Sequence, residues 1–367
     1  MQQSQILLPG GITVRDPSGD RYIIESLLGK GRSGAVYLVR DRRMKQNMYA
    51  LKEVIDPNKH DRERFIFEGE ILKRLEHRAL PHVYRVFERD KLKRVYLLMD
   101  YIKGRNLETL RKEQPGERFS LPLVLILMAP IVDALIYLHS QDPPIVHRDI
   151  KPANIIVPVG ADEAVLVDFG SAKEYVANAG TTTISHLTPG YAALEQYGGG
   201  TTTRTDIYGL GATLYVLLTG IVPLDAISRV TRSKNKGTDL LKPVHLLAPE
   251  VPSAVSQAIQ RAMSIDSDDR FETIEQFWQE LMNYETHQQA HIPRVTSADM
   301  PQALPQHEGG HDMLGTKRWI FLPLLLALLV TIGLARGFVS YVWGISILVL
   351  LCIGILLLLL HPRLHRR

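Results

Sequence analysis

Apolar and polar positions divide the chain into a strand-rich beginning, a helical middle and an apolar end. In the first part, short β-rich segments separated by turn residues predict antiparallel strands. The predicted strands cover residues 22–28, 35–40, 48–54, 83–87 and 94–99. Apolar residues at helical spacing predict one helix over residues 61–76. We therefore expect a five-stranded sheet that carries one helix.

The middle of the chain is predicted to be mainly helical. Leu121–His139 is strongly apolar with a helical period, which predicts a buried helix where Pro130 can introduce a bend. Residues 155–157 and 165–167 predict a small hairpin, and residues 206–219 predict another helix. Together the patterns predict an α+β protein with an N-terminal segment (residues 1–21), an N-lobe (22–102) and a mainly helical C-lobe (103–284).

The C-terminal part has a different character. Residues 285–318 are rich in Gln, His, Pro and Gly without an apolar period, which predicts a flexible linker. The apolar runs 319–335 and 338–360 would reach about 26 and 35 Å as helices, against a hydrocarbon core of about 30 Å. Basic residues precede this pair and form the tail 361–367.

These features predict a transmembrane helical hairpin over residues 319–360, which anchors the chain in the cell membrane. Because positive residues flank both ends, we expect the two lobes and both termini in the cytoplasm. The alternative is one span plus an interfacial segment, which would place the basic tail outside.

Charge and cysteine content narrow the classes of function. The net charge is +4, but the region from Lys317 onward carries six Lys and Arg and no acidic residue, so the remainder is slightly acidic. No nucleic-acid partner is therefore expected. The single cysteine excludes an intramolecular disulfide, which fits a reducing compartment. The first 16 residues do not match a signal peptide.

A glycine-rich loop joins the first two predicted strands. Gly29, Gly31 and Gly34 let backbone N–H groups approach the phosphates of a nucleotide, and Lys30 lies in the same loop. Val36 is placed to cover a flat base. A strand follows this loop, whereas a dinucleotide-binding motif would open a helix.

The third predicted strand supplies a cation. Ala50 and Lys52 belong to an Ala-Leu-Lys tripeptide, and after such a loop Lys52 can reach the α- and β-phosphates. Glu68 and Glu70 on the predicted helix are its candidate carboxylate partners. We prefer Glu68, which lies nearer the apolar face of the helix, and keep Glu70 as the alternative.

A hinge is predicted over residues 100–104, where the strand pattern breaks. The backbone at Asp100 and Ile102 is expected to bind a purine edge, with Met99 at the back of the pocket.

The segment 147–154 contains the main candidates for catalysis. Asp149 can accept a hydroxyl proton, Lys151 can neutralise a moving phosphate, and the amide oxygen of Asn154 can hold Mg²⁺. The predicted hairpin brings Asp168 back beside Asn154, which makes a site of two oxygen ligands for Mg²⁺. This set of residues favours phosphoryl transfer.

The motifs 29–36, 50–52, 147–154 and 168–170, in this order and spacing, resemble those of bacterial, eukaryotic-like serine/threonine protein kinases. The resemblance implies a two-lobed protein-kinase fold, a magnesium–ATP cofactor and phosphorylation of Ser and Thr in protein substrates. With the apolar end of the chain, it indicates a membrane-anchored kinase.

The resemblance extends to residues 188–195, which are similar to the end of an activation segment. It implies that Lys151 marks Ser/Thr specificity and is contacted by Thr188. It also implies that Glu195 pairs with Arg270 and that Asp206 anchors the catalytic loop from below. The family usually has proline where this chain has Leu194, which leaves the local turn less rigid.

The loop between the motifs at 168–170 and 188–195 carries four hydroxyls that are candidates for autophosphorylation: Thr181, Thr182, Thr183 and Ser185. Arg148 could pair with the new phosphate, and phosphorylation in trans would require self-association. The alternative is an ordinary flexible polar loop.

Other functions are less compatible with the sequence. A catalytically silent scaffold would not need the complete motif set, and a small-molecule phosphotransferase has no reason to carry residues 188–195. Residues 307–311 match the zinc-protease pattern H-E-x-x-H, but two glycines in a polar linker disfavour the helix that this chemistry requires.

Overall fold

The structure is a computed structural model that describes residues 7–31, 34–55, 59–89, 93–160, 163–169, 173–174, 187–198, 200–236 and 239–283. Within these ranges the side chains at 59–61, 64, 68, 173–174 and 233–236 are outside the description. The predicted linker, transmembrane hairpin and basic tail, the H-E-x-x-H segment, and Thr181, Thr182, Thr183 and Ser185 also lie outside the described residues.

In the described part of the chain, the N-lobe is a six-stranded antiparallel sheet with strand order β1-β2-β3-β4-β6-β5. Its strands are β1 (Thr13–Arg15), β2 (Arg21–Lys30), β3 (Gly34–Asp41), β4 (Met48–Ile55), β5 (Val83–Arg89) and β6 (Arg94–Asp100). Strands β2 to β6 are the five predicted ones, with bounds shifted by up to a few residues.

The sixth strand, β1, comes from the segment that we expected to precede the lobe. Thr13 pairs with Ile23 and Arg15 with Arg21. Only the central residue of β1, Val14, is buried. A strand of three residues with one buried position is too short to show an alternating pattern, so the sequence does not reveal it.

The N-terminal residues also complete a second core on one face of the sheet. Val14 is buried there, and Leu8 packs against the same cluster. The Leu8 N–H donates to the Tyr37 hydroxyl at 3.0 Å, which donates to Glu53 Oε2 at 3.0 Å. The buried Glu53 carboxylate is paired with Arg94. This network links the N-terminal residues to strand β4.

Helix α1 (Lys59–Leu72) packs on strands β5 and β6. A Cβ atom at Gly69 would overlap the side chain of Val86 and press on Leu97, so glycine allows the helix to lie close to the sheet. The predicted helix continued to residue 76; the observed one ends at Leu72 and is followed by a turn.

The C-lobe helices are α2 (Leu107–Lys112), α3 (Leu121–His139), α4 (Glu195–Gly198), α5 (Thr203–Thr219), α6 (Ala226–Lys236), α7 (Val244–Leu247), α8 (Ser253–Ala262) and α9 (Ile274–Met282). Helix α5 is the centre of the lobe, since every residue from Thr205 to Thr219 is buried and α3, α8 and α9 pack on it. A capping box formed by Thr202 and Thr205 begins it, and Gly220 ends it at φ +74°.

Helix α3 is continuous through Pro130. Among the described residues, α3 is the one helix long and apolar enough to cross a membrane. About half of this apolar stretch is buried inside the protein, because α3 packs on α5 and α9 as a core helix of the C-lobe.

Short strands position the loops between the two lobes. They are β7 (Gly104–Asn106), β8 (Ile145–Val146), β9 (Ile155–Pro158), β10 (Val165–Leu166) and β11 (Lys173–Glu174). Strands β9 and β10 form the predicted antiparallel hairpin. The Val167 N–H donates to the Asn154 carbonyl at 2.8 Å, which places the loop after β8 beside the loop after β10.

Candidate active site

Two polar side chains of the loop between β8 and β9 meet Thr188, which comes from a later segment. Lys151 Nζ lies 2.9 and 2.7 Å from the two carboxylate oxygens of Asp149, and it donates to Thr188 Oγ1 at 2.8 Å. Thr188 Oγ1 in turn donates to Asp149 Oδ1 at 2.9 Å. The carboxylate is therefore held in one orientation beside a cation.

Asn154 orients the same carboxylate from its other side. Its Nδ2 donates to the Asp149 carbonyl at 2.8 Å and to Asp149 Oδ2 at 2.9 Å. An amide whose nitrogen binds Asp149 in this way keeps its oxygen as the atom suited to coordinate a cation.

Asp168 meets the N-lobe cation. Lys52 Nζ lies 2.6 Å from Asp168 Oδ1, although the two residues are far apart in the sequence. Asp168 has a positive φ of +68°, and its side chain is about half exposed. The residue before Asp168, Val167, is bonded to Asn154 through the backbone, so a carboxylate and an amide oxygen come from adjoining loops. This donor set would suit Mg²⁺.

The partner of Lys52 thus differs in part from the expectation. Glu70, the alternative candidate, is wrong: it points to solvent and pairs with Lys73 at 2.9 Å, three residues along the helix. Glu68, the preferred candidate, has a side chain outside the described part of the chain and stays a prediction. In the described residues, the carboxylate at Lys52 is that of Asp168.

Asp206 supports the catalytic loop from the core of the C-lobe. It is fully buried, and its two oxygens accept from the backbone N–H groups of His147 at 2.8 Å and Arg148 at 2.7 Å. His139 Nε2 lies 2.9 Å from its Oδ2. This is the position that the resemblance implies for Asp206; His139 was missed, because 67 residues separate it from Asp206.

Burial and neighbouring charges determine the protonation of Asp206 and His147. Burial alone would raise the pKa of Asp206, but the hydrogen bond and charge of His139 and the Arg148 N–H lower the pKa below its ordinary value. Burial lowers the pKa of His147, whose ring contacts Phe169 edge-on at 5.0 Å between centroids. An ionised Asp206 thus lies beneath a neutral His147.

The glycine loop connects β2 and β3. Gly29 pairs with Val36 and Lys30 with Ala35, and the Gly31 N–H donates to the Gly34 carbonyl at 2.9 Å. A Cβ atom at Gly34 would overlap the backbone carbonyl of Glu53 on strand β4, so only glycine allows the two strands to approach here.

The neighbouring strands bring the remaining nucleotide candidates together. Val36 is opposite Lys52 across the β3–β4 pair, and Ala50 is opposite Met99 across the β4–β6 pair. Beside Lys52 lies an apolar pocket lined by Phe65, Leu72, Val83, Leu97, Met99 and Phe169.

The hinge follows strand β6. The Asp100 N–H donates to the His82 carbonyl at 3.0 Å, and the Asp100 carboxylate accepts from the His82 N–H and from the Tyr84 hydroxyl. Because the N–H and the carboxylate of Asp100 already have partners, a purine would bind the Asp100 carbonyl and the backbone of Ile102.

An ion pair closes the segment that ends in Glu195. Arg270 Nη1 and Nη2 lie 2.6 and 3.0 Å from the Glu195 carboxylate, as the resemblance implies, and the Arg270 side chain is completely buried. Thr205 also donates to Glu195 at 2.9 Å. The next residue, Gln196, was missed by sequence reasoning, although its side chain binds the backbone of Ala193 and Arg148.

The strand-rich lobe carries a glycine loop, and the helical lobe holds the Asp149 carboxylate in one orientation. With the Lys52–Asp168 pair, these features define the protein kinase class of fold. Residues 22–298 match the family model described as the protein kinase domain, and the chain belongs to this family.

Its bacterial relatives are serine/threonine kinases, which identifies the domain as one of the eukaryotic-like bacterial serine/threonine type. A probable serine/threonine-protein kinase of Clostridium acetobutylicum is 30% identical over 72% of this chain and 40% of its own length. PknD of Chlamydia trachomatis is 29% identical over 72% of this chain and 31% of its own length. PknJ of Mycobacterium bovis is 32% identical over 70% of this chain and 44% of its own length. The chain spans less than half the length of these relatives.

Solved structures share the fold. The apo form of PpkA-294 superposes with a TM-score of 0.61 at 26% identity, over 75% of this chain and 99% of that one. A PknI kinase domain of Mycobacterium tuberculosis gives 0.59 at 24% identity, over 76% and 100%, which shows the fold alone.

Proposed function

We propose that this chain transfers the γ-phosphoryl group of magnesium–ATP to Ser and Thr hydroxyls of protein substrates. The observation that supports the proposal most is the contact triangle of Asp149, Lys151 and Thr188. It holds a carboxylate and a cation together where an acceptor hydroxyl would have to lose its proton.

The chain offers binding groups for both parts of the cofactor. The nucleotide would bind at Gly29, Lys30, Gly31, Gly34, Val36, Ala50, Lys52, Asp100 and Ile102, with Glu68 as support for Lys52. Asn154 and Asp168 would hold Mg²⁺, which neutralises phosphate charge when bound.

The side chains around Asp149 have distinct tasks in this proposal. Asp149 accepts or orients the proton of the incoming hydroxyl, and Lys151 neutralises charge on the transferred group. Thr188 and Asn154 keep the two Asp149 oxygens in place. Catalysis then consists of positioning and charge neutralisation.

The main experiment measures the transfer of labelled phosphate from ATP to a generic protein substrate. Asp149→Asn keeps the shape of the side chain but removes the base, so we expect transfer to fall by about 10²- to 10⁴-fold. Activity that survives the substitution would remove Asp149 from its role.

The same assay separates the competing functions. A wild-type chain that transfers nothing would favour the silent scaffold, and transfer to small molecules but not to proteins would favour a small-molecule phosphotransferase. The Glu195–Arg270 ion pair, which fastens the segment after Thr188, supports a protein acceptor.

We further propose that residues 319–360 anchor the kinase in the cell membrane as a two-span hairpin with both termini cytoplasmic. Two apolar runs of sufficient length and their basic flanks support this topology. Reporter enzymes fused after residue 367 test it: a cytoplasmic reporter is expected, and an externally active one rejects the hairpin.

Autophosphorylation is proposed at Thr181, Thr182, Thr183 or Ser185, between copies of the chain that self-associate. Intact-mass measurement and peptide mapping after incubation with ATP are expected to find phosphate there, at a rate that rises with protein concentration. Phosphate on none of the four residues would end this hypothesis.

A further inference from the structure

Gln196 joins two loops of the active site through a single amide group. It lies in α4 and is buried, with 5% of its surface exposed. Its Oε1 accepts from the Ala193 N–H at 2.9 Å, and its Nε2 donates to the Arg148 carbonyl at 2.8 Å. Arg148 is 48 residues away, directly before the catalytic Asp149.

The carbonyl that Gln196 binds belongs to the peptide that leads into Asp149. Arg148 has a positive φ of +68°, which a residue with a side chain adopts at a cost, so surrounding contacts must maintain it. Asp206 holds the N–H of Arg148, and Gln196 holds its carbonyl. Rotation of this peptide would turn the Asp149 carboxylate away from its partners.

The other end of the amide holds the segment that carries Thr188. Ala193 follows Thr188 by five residues, and the Ala192 N–H donates to the Thr188 carbonyl at 3.1 Å. The next residue is Leu194, where the family usually has proline. A leucine leaves more backbone freedom at this point, and the bond from Ala193 to Gln196 removes part of it.

Glutamine fits both bonds because it offers one acceptor and one donor. Glutamate would keep the acceptor for Ala193 but place a second acceptor against the Arg148 carbonyl. Methionine has a similar volume and would replace neither bond. The two substitutions therefore separate the effects of the two ends.

We propose that Gln196 is a positioning residue that couples the segment 188–193 to the peptide of Asp149, so that the carboxylate is aligned when a protein substrate is bound. The inference rests on the proposed kinase function. It predicts an effect on phosphoryl transfer to proteins and none on nucleotide binding.

The test compares Gln196→Met and Gln196→Glu with the wild-type chain. For Gln196→Met we expect kcat with a protein substrate to fall about 10- to 100-fold, as when a reacting group is misplaced by about 1 Å, and KM to rise. For Gln196→Glu we expect a similar fall in kcat with KM near the wild-type value. The Kd for magnesium–ATP should stay unchanged in both variants.

A pH series adds a readout that a purely structural role would not change. At low pH the glutamic acid introduced by Gln196→Glu is protonated, and its O–H can donate to the Arg148 carbonyl. The activity of Gln196→Glu relative to wild type should therefore rise as the pH falls. Gln276→Met is the control: Gln276 on α9 is exposed and accepts from the Glu272 N–H at 3.1 Å, outside the active site.

Two results of the kinetic and binding measurements would overturn the coupling. One is unchanged kcat and KM in both variants. The other is a loss of ATP affinity in proportion to kcat together with a lower Tm, which means that Gln196 only stabilises the fold. If the wild-type chain phosphorylates no protein, the proposed function fails separately.

In that case hydrogen exchange tests the coupling by itself. Faster exchange at the Ala193 N–H and at residues 147–149 in Gln196→Met supports the coupling, and unchanged exchange overturns it.

Discussion

His147, at the start of the segment 147–154, and Asp206, beneath it, show how single residues depend on burial. Both are completely enclosed, and the pKa of each lies below its ordinary value. For Asp206 this keeps the carboxylate ionised, so that it can accept two backbone N–H groups. For His147 it keeps the ring neutral against Phe169.

The low pKa of His147 predicts acid sensitivity. Unfolded histidine binds a proton below about pH 6.5, whereas the folded, buried ring does not, so the unfolded state gains protons as pH falls. The contribution to stability is therefore full above about pH 6.5 and is lost as pH decreases towards the lower folded pKa. Urea unfolding between pH 7.5 and 5.5 should show a decline of at most about 1.4 kcal/mol per pH unit from this residue.

His147→Phe is the matched variant, because it keeps a ring of similar size without a titrating group. Its free energy of unfolding should fall less steeply over the same pH range. Parallel pH profiles for the variant and the wild type would show that His147 is not the source of the acid sensitivity.

At the scale of elements, strand β1 shows that residues before the predicted N-lobe are part of its core. Val14 packs in the same cluster as Tyr22 and Ile24, and the Leu8 N–H reaches the Tyr37 hydroxyl. Since Tyr37 binds Glu53, which follows Lys52 on β4, the N-terminal residues support the strand that carries the phosphate-binding lysine.

Val14→Asp is expected to destabilise the N-lobe by about 2–4 kcal/mol, because it places a carboxylate in an apolar cluster. Thr13→Asp on the same strand is the control, since position 13 faces solvent and should change stability by less than about 1 kcal/mol. Chemical unfolding of the two variants measures the difference. Equal, small effects would mean that β1 does not contribute to the core.

At the scale of the whole molecule, buried charges connect segments that are distant in sequence. Arg270 binds the Glu195 carboxylate and donates to the carbonyls of Ser264, Ile265 and Arg204. Its guanidinium is thus satisfied on all sides while it joins the loop before α9 to the end of the segment 188–195.

Glu195→Gln is expected to destabilise the protein by about 3–5 kcal/mol, because it leaves the buried Arg270 charge without its counter-charge. Asp268→Asn is the control: Asp268 pairs with Arg204 at 2.6 Å, but its side chain is 88% exposed, so we expect a loss below about 1 kcal/mol. Differential scanning calorimetry compares the two. A loss for Glu195→Gln no larger than that of the control would contradict the proposed importance of the buried pair.

The sequence by itself determined the strands β2 to β6, the buried helix α3, the β9–β10 hairpin and the order of the motifs. These features depend on periodicity, turn residues and spacing, which act over a few residues and are visible along the chain. Motif chemistry pointed to Lys151 and Asn154, and the resemblance to protein kinases implied Thr188 as well; the structure brings all three to Asp149.

Only the tertiary structure decided three other contacts. Asp168, 116 positions after Lys52, lies beside it, His139 contacts Asp206, and Gln196 reaches Arg148. It also added β1, whose single buried residue is defined by the sheet beside it. Such contacts depend on how separate elements pack, and packing brings together atoms whose proximity no local pattern records.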